Sequence, residues 1–495
     1  MLLTSLIPEF QIAGQVPPIE VNCISRDNND CNAGALFLFS GKSFDESNFI
    51  ETAVKNGASA IVTDLDIRSL ALPVVRVKNA RTTYAFAWSA FCNDPQSDMN
   101  IYAITGTNGK TSTSYFLHRL LDYCGIRNAV VGTTGIIVGG EKIPFPPEDS
   151  GISQMTTPDP EVLYPLIREL KQQGIKHVVM EVSSHALALG KVDPIRFEAS
   201  LFTNFSSEHL DFHKTEREYL QAKLRLEALS DKCIYNSDDL AFFEHFKLKR
   251  AVSYGTVKAH YTACCIRNNG VNGVSYLLRY NGAVMRIESP ISGGFTVSNS
   301  LAAATLAIEC GIQPETVCDA IASLDGIPGR LERLRLDKTK FPFDVMIDYA
   351  HTPEALQKLL ESDVFAKRSG RLITLFGCGG DRDKGKRAVM GRIASQNSEM
   401  VYVTSDNPRT EDPMTIIDDI LRGIDKEKNY KVIPDREEAI VNAFSECGRG
   451  DILLLVGKGH ENYIVDRGGR KHFSEKEIIE KTAAGKYRKD VTNEL

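Results

Sequence analysis

Residues 104–113, ITGTNGKTST, constrain the fold more than any other segment of the chain. They follow an apolar run typical of a buried strand, and apolar residues at helical spacing come after them. A glycine-rich turn in this position lets backbone N–H groups point at phosphate oxygens, while Lys110 adds positive charge and the Thr111 hydroxyl can bind magnesium. The pattern predicts a loop for ATP or a related nucleotide, although the usual P-loop spacing requires a glycine where this chain has Ile104. A tight turn without a ligand is the alternative.

Two further strand patterns place this loop in a parallel sheet. Residues 177–182 and 199–205 are apolar runs of the kind that parallel sheets bury on both faces. Between residues 251 and 290 the pattern changes, because Asn-Gly pairs flanked by alternating residues are typical of antiparallel hairpins. Before residue 95, short strand patterns and one amphipathic helix at residues 48–57 predict a small α/β domain.

The C-terminal third has four strand patterns, each followed by a loop rich in Gly, Asp, Asn or His. In open α/β sheets ligands bind outside the carboxyl ends of the strands, so these loops are expected to converge on one crevice. Their sequences are DYAHTP, GCGGDRDKGKR, SDNPR and GKGHE. We therefore predict an α/β protein of three domains, comprising residues 1–98, 99–330 and 331–495.

The composition excludes several classes of protein. Hydrophobic residues make up 42% and charged residues 25% of the 495 residues, as in an ordinary globular protein rather than a disordered one. The formal net charge of -6 leaves no global basic field for a nucleic acid or an anionic membrane. No apolar run approaches the roughly 18 residues of a membrane span, and the N-terminus lacks the positive region of a secretory signal. We therefore expect a cytoplasmic protein, whose eleven scattered cysteines form neither a disulfide framework nor a zinc site.

Several polar residues of the central region are candidates for chemistry. Glu181 ends a strand pattern, where packing explains a carboxylate poorly, and it could bind magnesium or be a satisfied structural acid. His209 and His213 are four residues apart, but Leu210 stands where a zinc peptidase motif requires glutamate. Lys223 lies in a helical pattern, where exposure to solvent is the default expectation.

Two C-terminal loops carry basic residues suited to anions. Arg387 shares a glycine-rich loop with three other basic residues, which suits phosphate or carboxylate binding but also fits a solvated basic loop. The other three are Arg382, Lys384 and Lys386. Arg409 follows Pro408 on a turn at a sheet edge, and this position favours bidentate recognition of a carboxylate.

Taken together, the motifs resemble those of the Mur ligase family. The resemblance runs in order over nearly the whole chain, from Ser25 to Tyr463. It rests on Lys223 and on the segments GTNGKTST, MEVSSHAL, TNFSSEHLDFH, GRLER, DYAHTP, DNPR and GKGHE. The last two segments are much more specific than the phosphate loop.

The resemblance implies three functional domains. These are a small UDP-binding α/β domain, a central P-loop-type ATPase domain with a mainly parallel sheet and a β-rich section, and a Rossmann-like C-terminal domain. The uridine nucleotide is assigned to Ser25, Lys42, Ser43 and Phe44. The muramoyl dipeptide is assigned to Thr156, Thr157, Ser183 and Lys191. ATP is assigned to Gly106, Thr107, Asn108, Gly109, Lys110, Thr111, Ser112, Asn299, Arg330 and Asp348.

The remaining assignments that the resemblance implies concern the metal and the incoming amino acid. The magnesium ligands are Thr111, Glu181, His209 and a carbamylated Lys223. The amino-acid site comprises Arg382, Asp406, Asn407, Pro408, Arg409, Gly457 and Glu461. The residues implied to be catalytic are Lys110, His209, Lys223 and Arg330.

The implied activity is ATP-dependent amide bond formation in peptidoglycan precursor synthesis. ATP phosphorylates the D-Glu carboxylate of UDP-N-acetylmuramoyl-L-Ala-D-Glu, and the amine of meso-diaminopimelate attacks the acyl phosphate. Arg409 in DNPR resembles the diaminopimelate enzymes, whose substrate brings an extra carboxylate, and L-lysine is the alternative amino acid. The chain departs from the family at Lys191, where arginine is usual, and at Asp45-Glu46, where Asp-Gly is usual. We expect a monomer.

Three other functions share part of this pattern. A folylpolyglutamate synthase has the same shortened loop and acyl phosphate chemistry, but it lacks the N-terminal nucleotide-sugar domain and the DNPR to GKGHE series. A nucleotide switch would be expected to carry a guanine-reading NKxD, which is absent from the sequence. A non-catalytic scaffold would be expected to have lost Lys110, Glu181 or Lys223, and all three are present.

Overall fold

The structure is a computed structural model that describes residues 1–39, 46–67, 72–143 and 155–486. Three residues assigned to the uridine nucleotide, Lys42, Ser43 and Phe44, lie outside this part of the chain. The chain divides into two compact units, Met1–Thr262 with Leu301–Val317 and Ala263–Ser300 with Cys318–Leu495. No helix within the described ranges is long and apolar enough to cross a membrane.

The first unit begins with a small α/β layer. Its four parallel strands lie in chain order and are Cys23–Ser25 (β1), Ala35–Phe39 (β2), Ala58–Thr63 (β3) and Val74–Arg76 (β4). The helices are Leu3–Leu6 (α1), Glu46–Lys55 (α2) and Ala80–Phe91 (α3). Helix α3 begins where it does because the Asn79 side chain accepts a hydrogen bond from the backbone of Thr82, which caps the first turn. The short strands and the helix predicted before residue 95 are thus present, in a sheet separate from the main one.

The main sheet of the first unit places Asn100–Thr105 (β5) at its centre. Its strands lie in the order β12-β11-β10-β5-β9-β6-β7-β8, and the strands from β12 to β6 are parallel. The other strands are Asn128–Gly132 (β6), Gly135–Val138 (β7), Glu141–Ile143 (β8), His177–Glu181 (β9), Phe197–Phe202 (β10), Ser230–Asn236 (β11) and Val252–Gly255 (β12). This confirms the parallel sheet predicted around the glycine-rich loop.

In the described part of the first unit, six helices connect these strands. They are Lys110–Tyr123 (α4), Pro160–Gln172 (α5), Ser184–Ala188 (α6), Leu210–His213 (α7), Glu216–Ala228 (α8) and Leu240–Phe246 (α9). Helix α4 follows β5 directly through the predicted phosphate loop, and α6 follows β9. The carboxyl ends of β5 and β9 therefore carry the loop and Glu181 side by side, since Ile104 is paired with Glu181 across the two strands.

The chain passes from one unit to the other within a strand and two helices. Tyr261–Asn268 (β13) leaves the first unit, and Phe295–Glu309 (α10) returns to it before Pro314–Ala322 (α11). Between them, Val274–Tyr280 (β14) and Ala283–Ser289 (β15) form an antiparallel hairpin. Its turn residues Asn281 and Gly282 both have positive φ, 46° and 81°, as a type I′ turn requires. The antiparallel section predicted from the Asn-Gly pairs is therefore confirmed.

The second unit contains a six-stranded sheet in the order β16-β17-β21-β18-β19-β20. Its strands are Glu332–Arg333 (β16), Asp344–Asp348 (β17), Leu372–Phe376 (β18), Met400–Val403 (β19), Tyr430–Val432 (β20) and Ile452–Val456 (β21), followed by the separate hairpin Tyr463–Asp466 (β22) and Gly469–His472 (β23). Its helices are Pro353–Leu360 (α12), Gly385–Asn397 (α13), Pro413–Leu421 (α14), Arg436–Glu446 (α15) and Glu475–Ala483 (α16). Helices α12 to α14 pack on one face, and α15 and α16 pack on the other.

The register of this sheet brings the four polar loops together. Strands β17, β21, β18 and β19 are parallel, and Val456 is paired with both Asp348 and Phe376. Phe376 is in turn paired with Val403. These four residues end their strands, so the loops DYAHTP, GCGGDRDKGKR, SDNPR and GKGHE leave the sheet at one edge, as predicted from the doubly wound pattern.

Candidate functional site

The glycine-rich loop between β5 and α4 is fixed by hydrogen bonds with the residues that follow β10. Gly106 has a φ of 147°, and a Cβ atom there would lie 1.9 Å from the Thr203 Oγ1. The backbone N–H of Asn108 donates to Asn204 Oδ1 at 2.9 Å, and Asn204 Nδ2 donates back to the Asn108 carbonyl at 3.0 Å. Thr203 Oγ1 donates to the same carbonyl at 2.7 Å. The loop therefore has one preformed conformation that only glycine permits at position 106.

Lys110 and Thr111, the first residues of α4, link this loop to the end of β9. Lys110 Nζ donates to the carbonyls of Gly106 and Thr107 at 3.0 and 2.9 Å. Thr111 Oγ1 donates to Glu181 Oε2 at 3.0 Å, and the Glu181 side chain is fully buried. Burial raises the pKa of Glu181, and the charge of Lys110 opposes this shift. The arrangement offers a carboxylate and a hydroxyl, oxygen ligands of the kind that Mg²⁺ prefers.

Thr133 is a second partner of Glu181 that sequence reasoning missed. Its backbone N–H donates to Glu181 Oε1 at 3.1 Å, and its hydroxyl donates to Glu181 Oε2 at 2.9 Å. A single threonine in a turn carries no recognisable signal, and only the pairing of β6 with β9 places it here. Thr111 and Thr133 together fix the carboxylate from both sides.

Gly132, the last residue of β6, leaves the space that Glu181 occupies. A Cβ atom at Gly132 would lie 2.2 Å from Glu181 Oε1 and 2.6 Å from its Cδ. We expect Gly132→Ala to displace the carboxylate and to lower the free energy of unfolding by about 1 to 3 kcal/mol, as measured by urea denaturation. Gly14→Ala is the control, because a Cβ there meets nothing within 4 Å. Equal stability of the two variants would contradict the prediction.

Lys223 on α8 is buried, which corrects the expectation of a solvated lysine. Only 1% of it is exposed, and Nζ donates to the Gly106 carbonyl at 2.8 Å. Nζ also lies 4.5 Å from the centroid of the Tyr219 ring, whose hydroxyl is 3.2 Å from Thr107 Oγ1. The helix packs directly on the phosphate loop, and this long-range contact is not visible in the sequence. Burial, reinforced by the charge of Lys110, lowers the pKa of Lys223 well below its usual value.

His209 stands at the start of α7 with a φ of 57° and remains exposed. Its ring centroid is 5.0 Å from that of His185 and 5.9 Å from that of Tyr219. His213 is buried instead, with Nε2 2.9 Å from Ser184 Oγ, so the two histidines do not face one site. No cluster of three or more His, Cys, Asp or Glu able to hold a metal occurs in the described ranges.

The threonines and serine assigned to the dipeptide adjoin Glu181. Thr157 Oγ1 donates to the Glu181 carbonyl at 2.9 Å and accepts from the Ser183 N–H at 2.9 Å. Thr156 Oγ1 lies 3.0 Å from Thr133 Oγ1. The structure thus brings together Thr156, Thr157 and Ser183 around the end of β9.

Lys191 lies beside a cavity of about 440 Å³ in the first unit. Its Nζ is 2.6 Å from Asp159 Oδ1, and Asp159 Oδ2 accepts from Arg26 Nη2 at 2.7 Å. Although burial opposes the shift, hydrogen bonds from Lys191 and Arg26 lower the pKa of Asp159. Arg26 follows Ser25, whose hydroxyl closes a turn with the backbone of Asp27. The cavity is also lined by Leu38, Phe49, Ala80, Arg81, Tyr84, Pro160 and Leu189.

Arg330 and Asp348 are neighbours in the second unit. The Asp348 oxygens accept from the backbone N–H groups of Leu331 and Ala350, at 2.8 and 2.9 Å. Burial raises the pKa of Asp348, and the charge of Arg330 opposes the shift. The Arg330 guanidinium lies 5.2 Å from the Tyr349 ring centroid. Asn299, also assigned to the nucleotide, is buried in α10.

Lys458 organises the candidate amino-acid site, although sequence reasoning did not select it. It is 0% exposed, and its Nζ donates to Asn407 Oδ1 at 3.1 Å and lies 3.2 Å from Asp406 Oδ1. Asn407 Nδ2 in turn donates to Glu461 Oε2 at 2.9 Å. The structure therefore brings Asp406, Asn407 and Glu461 into one network. Gly457 adjoins it and donates its N–H to the Asp348 carbonyl at 3.0 Å.

Arg409 lies at the edge of this network with a φ of 53°. Its Nη1 donates to the Gly380 carbonyl at 2.8 Å. Arg382 is exposed on the neighbouring loop, and Pro408 is buried between the two loops. The candidate carboxylate-binding arginine is therefore presented by two loops rather than by one turn.

Arg387 does not serve as an exposed ligand-binding residue. Its guanidinium is fully buried and forms a bidentate pair with Glu411, at 2.8 and 3.0 Å. Neither alternative that the sequence left open, an anion-binding or a solvated residue, holds for Arg387, because it is buried and its charge is neutralised within the fold. Lys384 also pairs with Glu411, at 3.3 Å.

Comparison with known proteins identifies the family. The model for the Mur ligase middle domain matches residues 104–307, and that for the Mur ligase, glutamate ligase domain matches residues 329–459. A relative from Chlorobium phaeobacteroides, named UDP-N-acetylmuramoyl-L-alanyl-D-glutamate--2,6-diaminopimelate ligase, is 38% identical over 97% of this chain and 95% of its own length. A relative of the same name, numbered 1, from Clostridium acetobutylicum is also 38% identical, over 93% of this chain and 94% of its own.

A solved structure agrees with these sequence relatives. It is that of a UDP-N-acetylmuramoyl-L-alanyl-D-glutamate--2,6-diaminopimelate ligase, with a TM-score of 0.68 and 29% identity, covering 99% of this chain and 100% of the other. Likeness in sequence and in fold thus extends over essentially the full length of both chains. The chain belongs to the Mur ligase family.

Proposed function

We propose that this protein is an ATP-dependent ligase that joins meso-diaminopimelate to UDP-N-acetylmuramoyl-L-Ala-D-Glu in peptidoglycan precursor synthesis. The observation that carries the proposal is the full-length likeness to curated relatives named for this reaction, at 38% identity. The Arg409 network supports the choice of amino acid, since diaminopimelate has a second carboxylate that an arginine can bind.

The phosphate loop and its surroundings supply the groups that an acyl phosphate mechanism requires. The loop N–H groups and Lys110 bind and orient the ATP phosphates so that the γ-phosphorus faces the D-Glu carboxylate. Mg²⁺, which the family uses together with ATP, supplies neutralising charge at the phosphates. Glu181 and Thr111 are the oxygen ligands proposed for it, with His209 as a further ligand. No side-chain nucleophile takes part, because the substrate carboxylate itself attacks.

Lys223 supports a specific modification in this proposal. The lowered pKa of Lys223 favours the neutral form of its amine, and a neutral amine can add carbon dioxide and lose a proton to form a carbamate. The carbamate would place an anion beside Lys110 and the proposed metal ligands. We propose that Lys223 is carbamylated in the active enzyme.

The remaining assignments follow from the motifs. We propose that residues 1–98 bind the uridine nucleotide, residues 99–330 bind ATP and residues 331–495 bind the amino acid. Asn299, Arg330 and Asp348 are assigned to the nucleotide, and Arg382 to the amino acid. We also propose that the protein acts as a monomer in the cytoplasm, where ATP and UDP-linked precursors are available.

A product assay tests the proposal directly. The purified protein is incubated with ATP, magnesium and UDP-N-acetylmuramoyl-L-Ala-D-Glu, and meso-diaminopimelate or L-lysine is supplied in parallel. Products are identified by mass, and phosphate release is followed. We expect a tripeptide product mainly with diaminopimelate. Preference for L-lysine would overturn the amino-acid assignment, and absence of product with both would favour a folylpolyglutamate-type or a non-catalytic protein.

Arg409→Ala tests the amino-acid assignment at one residue. Loss of a charged partner for the distal carboxylate is worth roughly 1.5 to 3 kcal/mol, or about ten- to a hundredfold in selectivity. We expect the ratio of kcat/KM for diaminopimelate to that for L-lysine to fall by this factor. An unchanged ratio would refute the role of Arg409.

A further inference from the structure

The loop that carries Arg409 is joined to α13, the helix that follows the adjacent glycine-rich loop, by an ion pair. Arg387 in the first turn of α13 bonds both oxygens of Glu411, with Nη1 to Oε2 at 3.0 Å and Nη2 to Oε1 at 2.8 Å. Arg387 Nη1 also donates to Asp419 Oδ2 on α14 at 3.0 Å. Glu411 lies two residues after Arg409, so the pair acts at the base of that loop.

Glu411 extends the connection to the backbone of the other loop. Its Oε1 accepts from the Asp381 N–H at 2.7 Å. Asp381 bonds back to Thr410, accepting from the hydroxyl at 2.7 Å and from the N–H at 3.1 Å. The hydrogen bond from Arg387 is the main reason that the pKa of Glu411 is lowered to about 2, so this carboxylate is ionised at neutral pH. We call Arg387, Glu411, Asp381 and Thr410 the loop clamp.

The two loops touch most closely next to Arg409. The N–H of Gly380 donates to the Asn407 carbonyl at 2.9 Å, and a Cβ atom at Gly380 would lie 2.0 Å from the Pro408 carbonyl oxygen. Arg409 Nη1 donates to the Gly380 carbonyl at 2.8 Å. The direction of the Arg409 side chain therefore depends on the position of the loop formed by residues 377–384.

Arg409 itself is in a conformation that needs support. Its φ of 53° is left-handed, a region that residues other than glycine adopt rarely and keep only where the surroundings impose it. Its N–H donates to the Val465 carbonyl at 2.9 Å, which fixes one side of the residue. The clamp fixes the other side through Glu411 and Thr410.

We propose that Arg387 and Glu411 are positioning residues for amino-acid selection. They hold Arg409 in the position where it binds the distal carboxylate of the incoming amino acid, and they do not contact the amino acid themselves. This inference rests on the proposed function. The sequence left Arg387 open as an anion-binding or a solvated residue, whereas its burial and its two carboxylate partners give it an indirect role. Because the clamp acts on one side chain of the site, its loss should affect the affinity for the amino acid and spare the other substrates.

Glu411→Gln is the test, since it keeps the shape of the side chain and removes its charge. We expect the KM for diaminopimelate to rise about tenfold and its preference over L-lysine to fall by a similar factor. The KM values for ATP and the UDP-linked dipeptide should stay unchanged. Arg387→Lys keeps the charge but loses the planar bidentate geometry, so its KM for diaminopimelate should be intermediate.

Asp451→Asn is the matched control. Asp451 forms an ion pair with Arg371 at 2.7 Å. Asp451 directly precedes β21 and Arg371 directly precedes β18, so the pair lies at the edge of the sheet opposite to the polar loops. This variant should lower the melting temperature without changing the KM for diaminopimelate. The inference would be overturned if Glu411→Gln lowered the melting temperature but left the KM for diaminopimelate unchanged. It would also be overturned if Asp451→Asn raised the KM for diaminopimelate as much as Glu411→Gln does.

Hydrogen exchange separates failure of the clamp from failure of the proposed function. If the wild-type protein formed no product, the proposed function would fall, and exchange would still report on the clamp. Peptides covering residues 377–384 and 404–411 should exchange faster in Glu411→Gln than in the wild type or in Asp451→Asn. Unchanged exchange in these peptides would overturn the clamp whatever the activity.

Discussion

Lys223→Ala is expected to lower the rate of ligation by at least about a thousandfold, because the variant cannot form the carbamate. Lys223 lies against the phosphate loop, with Nζ 2.8 Å from the Gly106 carbonyl. An unmodified lysine there would supply no anion beside Lys110, where the proposed magnesium site needs one. The effect should appear in kcat, measured as phosphate release under saturating substrates, and not in the folded structure measured by circular dichroism.

Chemical rescue distinguishes the carbamate from a structural lysine. The alanine variant leaves a space for a small anion, so added acetate or formate should restore a measurable part of the activity. Lys171→Ala is the control, since Lys171 is a partly exposed residue of α5 that pairs with Asp98 at 3.0 Å, away from the loop. It should keep wild-type activity. Full activity of Lys223→Ala without added carboxylate would refute the proposal, and an inactive variant that no carboxylate rescues would indicate a structural role instead.

Local patterns in the sequence predicted the phosphate loop because its chemistry is contiguous. Glycine, lysine and threonine within eight residues, where a strand passes into a helix, are enough to define the turn. The same is true of the β14 to β15 hairpin, whose Asn281-Gly282 turn requires two positive φ values. In the second unit, the contact between Asn407 and Glu461 could be predicted from the strand topology, because the carboxyl ends of parallel strands lie at one edge of the sheet.

Long-range packing explains what the sequence did not predict. The burial of Lys223 depends on a contact between α8 and a loop 117 residues earlier in the chain. Arg387 resembled a ligand-binding arginine because its nearest neighbours in sequence are basic, but its partner Glu411 is 24 residues away. Thr133 donates a hydrogen bond to Glu181, and Lys458 donates one to Asn407. Neither contact can be predicted from the pattern around a single residue.

Lys458→Met is expected to be strongly destabilising and to weaken amino-acid binding. Lys458 is fully buried, and its Nζ contacts Asp406 and Asn407 and donates to the Tyr463 carbonyl at 2.8 Å. Methionine fills a similar volume but leaves the Asp406 carboxylate buried without its cation. Breaking a buried ion pair from one side costs about 3 to 5 kcal/mol, because the remaining charge stays uncompensated.

Lys471→Met supplies the matched comparison for this variant. Lys471 also forms an ion pair in the second unit, with Asp466 at 2.7 Å, but more than half of its side chain is exposed. An exposed pair of this kind contributes about 1 kcal/mol or less, so this variant should unfold near the wild-type urea midpoint. In Lys458→Met, by contrast, the urea midpoint should fall. The KM of the folded fraction for diaminopimelate should rise about a hundredfold, because Asn407 and Glu461 lose their contacts with Lys458. If the two variants had the same midpoint and the same KM, Lys458 would be a buried lysine without a role in ordering the site.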